Sequence, residues 1–433
     1  MARPAPRLTR FTVTVLALGA TGLATTAPAV LASPAAARGL PAASAALDRR
    51  EQDNRPSSHR RSDTPTPATR LVSTWSSSSD RLIAALGGQT VRMVARTAVG
   101  GDGMRIRLSN VFGAAPVSIR HVHAGIQAYG PEILPGTNRP VTFGGHASVT
   151  VPAGRAVWSD PIPGRFPGGA DVVVSMFLPS TVREITGHER AYATTYLSGP
   201  GDHAASESAD GFTYTSTQWY FLDRIAVQAP AAVHSVVAFG DSLTDGTGQT
   251  VDANRRWTDY LRHRVAGLSA AHRVSVVNAG IAGNRLIYSN VGPSGLNRFY
   301  RDVLTQPGVR TVVVYEGIND ISRGAYTSPA PIVNAYKRLI REAHARKLRV
   351  LGATLTPFYG FGTWTPEREE IRQRVNAWIR TSRAFDGVLD FDKAVRDPAV
   401  PEQLIASYDS GDHLHMSDAG RRRLAYAVNL RLL

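Results

Sequence analysis

From about residue 233 to the C-terminus, apolar and polar positions follow two alternating periods. Val236 to Phe239, Val274 to Gly280, Thr311 to Tyr315, Arg349 to Thr356 and Gly387 to Phe391 are short runs rich in β-branched residues. Such runs form strands buried on both faces. Between them, Arg256 to Ala266, Pro331 to Arg346 and Glu367 to Arg380 follow the helical period. The second of these carries Ile332, Val333, Tyr336, Leu339, Ile340 and Ala343 along one side. Repeating β and α units predict a parallel sheet covered by helices on both faces, a three-layer α/β/α arrangement. Five strands in flavodoxin-like order fit the pattern.

From Arg70 to about Gln228 the texture is different. Short alternating runs are separated by Gly, Pro and Asn, and no strong helical period occurs. In Met104-Arg-Ile-Arg-Leu-Ser109 the Met, Ile and Leu share one face and the arginines the other. Val117 to Ile126, Ala147 to Val151 and Val172 to Leu178 are further strand candidates. Many short strands at this spacing predict an all-β sandwich of the jelly-roll sort. The chain therefore divides into a β-sandwich at 70–228 and an α/β domain at 229–433.

Ahead of these, Arg3, Arg7 and Arg10 precede an apolar stretch from Phe11 to about Ala24 and then the small residues Ala27-Pro-Ala29. This reads as a secretory signal peptide over 1–29, of the general rather than the twin-arginine type. Residues 30–69, rich in Ala, Pro, Ser, Thr and Arg, read as a disordered linker. The expected location is extracellular, with no later segment apolar enough to span a bilayer. The chain has no cysteine, so disulfides contribute nothing after export. Its net charge of +15 is carried almost wholly by arginine, with only Lys337, Lys347 and Lys393 as lysines. That bias reads as codon usage in a GC-rich bacterium, and nucleic acid is not an expected partner.

The candidate chemistry lies at the ends of the strand-like runs. Val236-Val-Ala-Phe-Gly-Asp-Ser-Leu-Thr-Asp-Gly246 takes an apolar strand into a glycine-bracketed turn with Ser242 at its apex. Ile281-Ala-Gly-Asn284, Glu316-Gly-Ile-Asn-Asp320 and Asp412-His-Leu-His415 follow in order. The last of these precedes Ser417-Asp-Ala-Gly-Arg, a capped helix start. A carboxyl edge of this kind is where open α/β sheets hold ligands.

Together the four blocks resemble the SGNH hydrolases, also called the GDSL esterase and lipase family. The resemblance covers roughly residues 233 to 433. It implies a carboxylic ester hydrolase with Ser242 as nucleophile, His415 as general base and Asp412 as the group that orients the imidazole. It further implies an oxyanion hole formed by the N–H groups of Ser242 and Gly283 and the side-chain amide of Asn319. Each residue also has a purely structural reading: His413 and Asp409 are neighbouring rivals, and Asn319 and Gly283 suit ordinary turns. The resemblance implies no cofactor.

The chain has no Gly-x-Ser-x-Gly elbow, Walker loop, His-Glu-x-x-His or dinucleotide fingerprint. His121 and His123 are spaced to share a strand face but have no evident third metal ligand. Export and an accessory β-domain direct the expected substrate to short-chain or O-acyl groups on polysaccharide. A lipase or phospholipase acting on longer acyl esters is the rival. A carbohydrate-binding protein with a vestigial hydrolase domain is the reading from another class, and loss of a catalytic residue would be its mark. Trp75, Trp158 and Trp219 are either sugar-stacking platforms or core and interface residues. Pro357 to Trp364 and Tyr288 to Asn297 are expected to be mobile walls of the cleft.

Overall fold

The computed structural model describes residues 68–269, 272–324 and 326–433. The expected signal peptide at 1–29 and residues 30–67 of the expected linker lie outside them.

Residues 69–230 form antiparallel strands with no helix among the described residues. One sheet runs in the order Thr69–Ser76, Leu222–Pro230, Gly101–Ser109, Ala156–Trp158. A second runs Phe212–Ser216, Thr195–Pro200, Gln89–Arg96, Asp171–Leu178, Val117–Ile126, Arg139–Pro140. A third, smaller sheet joins Trp219–Tyr220, Val182–His188 and Asp80–Leu86. The alternation read from Met104 to Ser109 holds: Met104, Ile106 and Leu108 are buried, and Arg105 and Arg107 are only half-buried.

Two details differ from expectation. Thr69 already belongs to the first strand, inside the range assigned to the linker. His121 sits in left-handed backbone at a bulge, where the register slips between Arg120 opposite Phe177 and His123 opposite Ser175. The two histidines therefore do not follow a regular alternation, and His121 pairs with Asp202.

Trp75 and Trp219 are buried edge to face, with ring centroids 4.9 Å apart. Burial removes both as platforms for a sugar, and Trp158 is half-buried. They help form the apolar core of the β-rich part together with Met93, Ile106 and Ile225.

The remaining strands form a parallel sheet: β1 His234–Gly240, β2 Val274–Gly280, β3 Val309–Tyr315, β4 Arg349–Ala353 and β5 Gly387–Leu389, in the order β2-β1-β3-β4-β5. The helices are α1 Ser242–Asp245, α2 Trp257–Ala266, α3 Gly295–Phe299, α4 Ile318–Arg323, α5 Ala330–His344, α6 Pro366–Thr381, α7 Phe391–Val395 and α8 Asp418–Ala427. They sort into two packed groups, α2 with α8 and α7, and α5 with α3 and α6. On α5 the apolar stripe of Ile332, Tyr336, Leu339, Ile340 and Ala343 is buried, as its period requires. The exception is Val333, which the sequence pattern placed in that stripe and which is only half-buried.

The two parts dock through buried polar contacts. The Ser73 N–H donates to the carbonyl of Pro307 at 2.9 Å, and the Ser275 hydroxyl to the carbonyl of Ser73 at 2.6 Å. The Ser76 hydroxyl donates to the carbonyl of Asn278 at 2.7 Å. A cleft of about 530 Å³ runs between the parts, lined among others by Tyr129, Tyr196, Arg96, Trp219, His188 and Asp245. No helix among the described residues is long and apolar enough to cross a membrane.

Candidate active site

Register brings the carboxyl ends of the three central strands level. Gly240 stands beside Gly280 of β2 and Tyr315 of β3, so the loops carrying Ser242, Gly283 and Asn319 leave the sheet at the same edge. Gly240 is required there. A Cβ on it would lie 2.3 Å from the Tyr315 carbonyl oxygen and 2.4 Å from the Thr244 hydroxyl. What the sequence presents as a turn is a single helical turn, α1, which Ser242 begins. Asp241 caps it by accepting the Leu243 N–H at 3.0 Å. That cap is fully buried, and burial pushes its carboxyl up to about 7.

His415 reaches this turn from the loop before α8, a helix capped by the Ser417 hydroxyl as its sequence predicts. Its Nε2 lies 2.9 Å from Ser242 Oγ, and its Nδ1 lies 2.5 Å from Asp412 Oδ2. Asp412 Oδ1 accepts the N–H groups of His415 at 2.8 Å and Leu414 at 3.1 Å. Partial burial acts to raise its pKa, but the hydrogen bonds from His415 and the imidazole beside it hold the carboxyl down to about 2. Asp409 and His413 form a separate pair, with Nδ1 2.7 Å from Oδ2. The rival orienter is thus committed to the rival histidine. With Nδ1–H donated to a carboxylate, His415 turns the lone pair of Nε2 toward the serine hydroxyl, the arrangement needed to take its proton.

The oxyanion candidates converge on the same edge. Gly283 has φ +79°, a left-handed conformation that glycine adopts without strain. Among the described residues, neither its N–H nor that of Ser242 has a protein acceptor. Asn319, in the first turn of α4, donates one amide hydrogen to the carbonyl of Asn284 at 3.0 Å. The second hydrogen remains for a ligand. The 281–287 segment is fastened at several points. Ala282 N–H donates to Asp245 Oδ2 at 2.9 Å. Leu286 and Ile287 N–H donate to the Asp320 carboxylate at 2.6 and 3.0 Å. Burial pushes Asp320 up to about 6 against those bonds.

Arg298 was not singled out from the sequence. Its side chain is wholly buried and donates to the carbonyls of Gly240 and Ala279, to Asn284 Oδ1 (all at 2.8 Å) and to Glu316 Oε2 at 3.0 Å. It ties the ends of β1, β2 and β3 to the 281–287 segment. An arginine next to Phe299, in a helical stretch that also carries Leu296, Val303 and Leu304, was the available signal. The expected mobile walls are also better fastened than predicted. Asn284 Nδ2 donates to the carbonyls of Val291 and Pro293, and Tyr359 N–H donates to Glu402 while Phe358 is fully buried. Only parts of these walls, Tyr288 and Tyr359 among them, stand exposed. Among the described residues no group of three or more His, Asp or Glu is placed to hold a metal ion.

Residues 238–423 match the model of the GDSL-like Lipase/Acylhydrolase family, whose members are esterases and lipases. No curated protein matches the chain. Solved structures similar to the C-terminal part include the native aryl esterase of M. smegmatis, at 17% identity and TM-score 0.38, covering 45% of this chain and 95% of that one. Est24, a carbohydrate acetylesterase from Sinorhizobium meliloti, has 17% identity and TM-score 0.36 over the same shares. The lipase/acylhydrolase from Enterococcus faecalis has 23% identity and TM-score 0.35, covering 46% and 94%.

Proposed function

Because its C-terminal part is a GDSL-like lipase/acylhydrolase domain, we propose that this chain hydrolyses carboxylic esters through an acyl intermediate on Ser242. The observation that carries the reading is the line Ser242 Oγ, His415 Nε2, His415 Nδ1, Asp412 Oδ2, with contacts of 2.9 and 2.5 Å. In the first step Ser242 Oγ attacks the ester carbonyl while His415 takes its proton. The carbonyl oxygen becomes an anion facing the N–H groups of Ser242 and Gly283 and the Asn319 amide. On collapse His415 returns the proton to the leaving alcohol, and Ser242 keeps the acyl group. Water then attacks the acyl-serine by the same route, with His415 again as base, and releases the acid.

The proposed substrates are short O-acyl groups on polysaccharide, met outside the cell after export directed by residues 1–29. The exposed Tyr288 and Tyr359 support a sugar substrate. They stand on the segments following β2 and β4, at the same edge as Ser242, and an exposed aromatic face offers apolar contact to a pyranose ring. The test is a p-nitrophenyl ester series from acetate to palmitate, together with acetate release from acetylated xylan, for the protein beside Ser242→Ala and His415→Ala. Turnover confined to short esters and lost in both variants is the expected result. An optimum at palmitate would sink the polysaccharide assignment, and undiminished turnover in Ser242→Ala would sink the acyl-serine route.

A further inference from the structure

The strand Val182–His188 of the β-rich part ends on a histidine that crosses the junction to α1. The His188 side chain is 5% exposed and that of Asp245 4%. His188 Nδ1 lies 2.7 Å from the carbonyl oxygen of Ser78, and Nε2 lies 2.9 Å from Asp245 Oδ1. A carbonyl and an ionised carboxylate only accept hydrogen bonds, so both ring nitrogens donate and the imidazolium balances the Asp245 charge. The other oxygen of Asp245 accepts the N–H of Ala282, the residue before Gly283. Asp245 is also the last residue of the helical turn that Ser242 begins. One carboxylate thus touches both the nucleophile turn and the oxyanion segment, and its charge is met from the other part of the molecule. Around the pair, the Arg256 Nε–H donates to the carbonyl of Asp245 at 2.9 Å, and Asp80, Glu189 and Arg190 line a cavity of about 20 Å³ beside it.

We propose that His188 and Asp245 are positioning residues through which the β-rich part holds the Gly283 N–H in place for the oxyanion. The proposal rests on the acyl-serine reading, in which Gly283 is an oxyanion donor. Preorganised donors act on the transition state and not on the bound ester. A misplacement on the order of 1 Å is enough to cost about 10²-fold. Asp245 is therefore placed to affect turnover without touching substrate. The 530 Å³ cleft already reaches His188 and Asp245, so water can solvate the carboxylate when the ring is removed.

The test is steady-state hydrolysis of p-nitrophenyl acetate by the full chain carrying His188→Ala, His188→Gln or His188→Asn. Ser275→Ala, which loses a hydrogen bond of the same junction away from the oxyanion segment, is the control. The expected result is a kcat about 10- to 100-fold lower for His188→Ala and His188→Asn, with KM within about twofold, as for an interaction made only in the transition state. Gln, long enough to donate to Asp245, should restore most of kcat. Ser275→Ala should melt earlier yet turn over at the wild-type rate. If His188→Ala does not fold, the contrast between Asn and Gln carries the test. A kcat within about twofold of wild type in the Ala and Asn variants overturns the proposal, as does a loss in Ser275→Ala matching theirs. Failure of the acyl-serine reading looks different: wild-type turnover would survive Ser242→Ala, whatever the His188 series did.

Discussion

Two histidine–aspartate pairs flank the serine turn. His415 and Asp412 lie at the rim, with side chains 14% and 45% exposed, and the second ring nitrogen faces a hydroxyl. His188 and Asp245 are buried at the junction of the two parts of the molecule, and the second ring nitrogen is committed to the Ser78 carbonyl. A ring with one nitrogen left toward a hydroxyl can take a proton and give it back. A ring whose two nitrogens both donate to acceptors has no lone pair to offer, and losing a proton breaks one of its bonds. On the proposed reading, the same two residue types serve as a base at the rim and as a fastener at the junction. Surroundings, not composition, separate the roles.

The contrast breaks most severely at Asp412. Asp412→Asn would present the wrong partner to His415 Nδ1 and should lower kcat by roughly 10⁴-fold. Asp409→Asn, which disturbs the bonds to His413 and Gly411, should leave kcat within about twofold. Equal losses in the two variants, read by steady-state kinetics, would mean that the loop exchanges its pairings. Next in size is Asn319→Ala, with an expected loss of about 10²- to 10³-fold in kcat and little change in KM. A normal kcat would make Asn319 a support for the Asn284 carbonyl alone.

The smallest effect, and the one that sharpens the contrast, is in stability against pH. Burial acts to lower the pKa of His188, but the charge of Asp245 and the hydrogen bonds to Asp245 and Ser78 outweigh it and raise it above 6.5. A raised folded value means that the stabilisation is fully present below the unfolded value and fades as pH rises through the folded one. The melting temperature of the wild type should therefore exceed that of His188→Gln most in mildly acid buffer, with the gap narrowing in alkali. Asp412 has the opposite sign. Its depressed carboxyl contributes above its unfolded value, and the contribution is lost only as pH falls through about 2. A His188→Gln gap that stayed constant with pH would contradict the imidazolium.

What the sequence made legible was local. The strands ending at Gly240, Gly280 and Tyr315 and the helix Ala330–His344 follow from hydrophobic period and glycine breaks, which neighbouring residues alone determine. Ser242, Gly283, Asn319 and His415 were legible because each occupies a fixed place in a short block. The choice between Asp412 and Asp409 was not, because Asp409 lies four residues before His413 and Asp412 three before His415. Only the folded loop, with His413 at φ 67°, separates the two pairs. His188 and Asp245 stand 57 positions apart, one at the end of a strand and the other at the end of α1, with no periodic signal linking them. Arg298 was concealed because an arginine in the sequence reads as surface, and its acceptors, among them the carbonyls of Gly240 and Ala279 at strand ends and the side chains of Asn284 and Glu316, are assembled only by the fold. Trp75 and Trp219 show the same limit: an aromatic residue is equally at home on a surface platform and in a core, and partners brought by distant strands decide which.

The first strand lies antiparallel to the last of the β-rich part, with Thr69 beside Pro230, and the Ala231 N–H donates to the carbonyl of Ala68. The chain thus enters the described structure within a few residues of where it passes into β1, at the amino end of the parallel sheet. The line of Ser242, His415 and Asp412 is at the carboxyl end. An affinity handle or a bead coupled ahead of Ala68 would hold the molecule by its back, leaving the serine edge turned toward whatever insoluble material is brought to it.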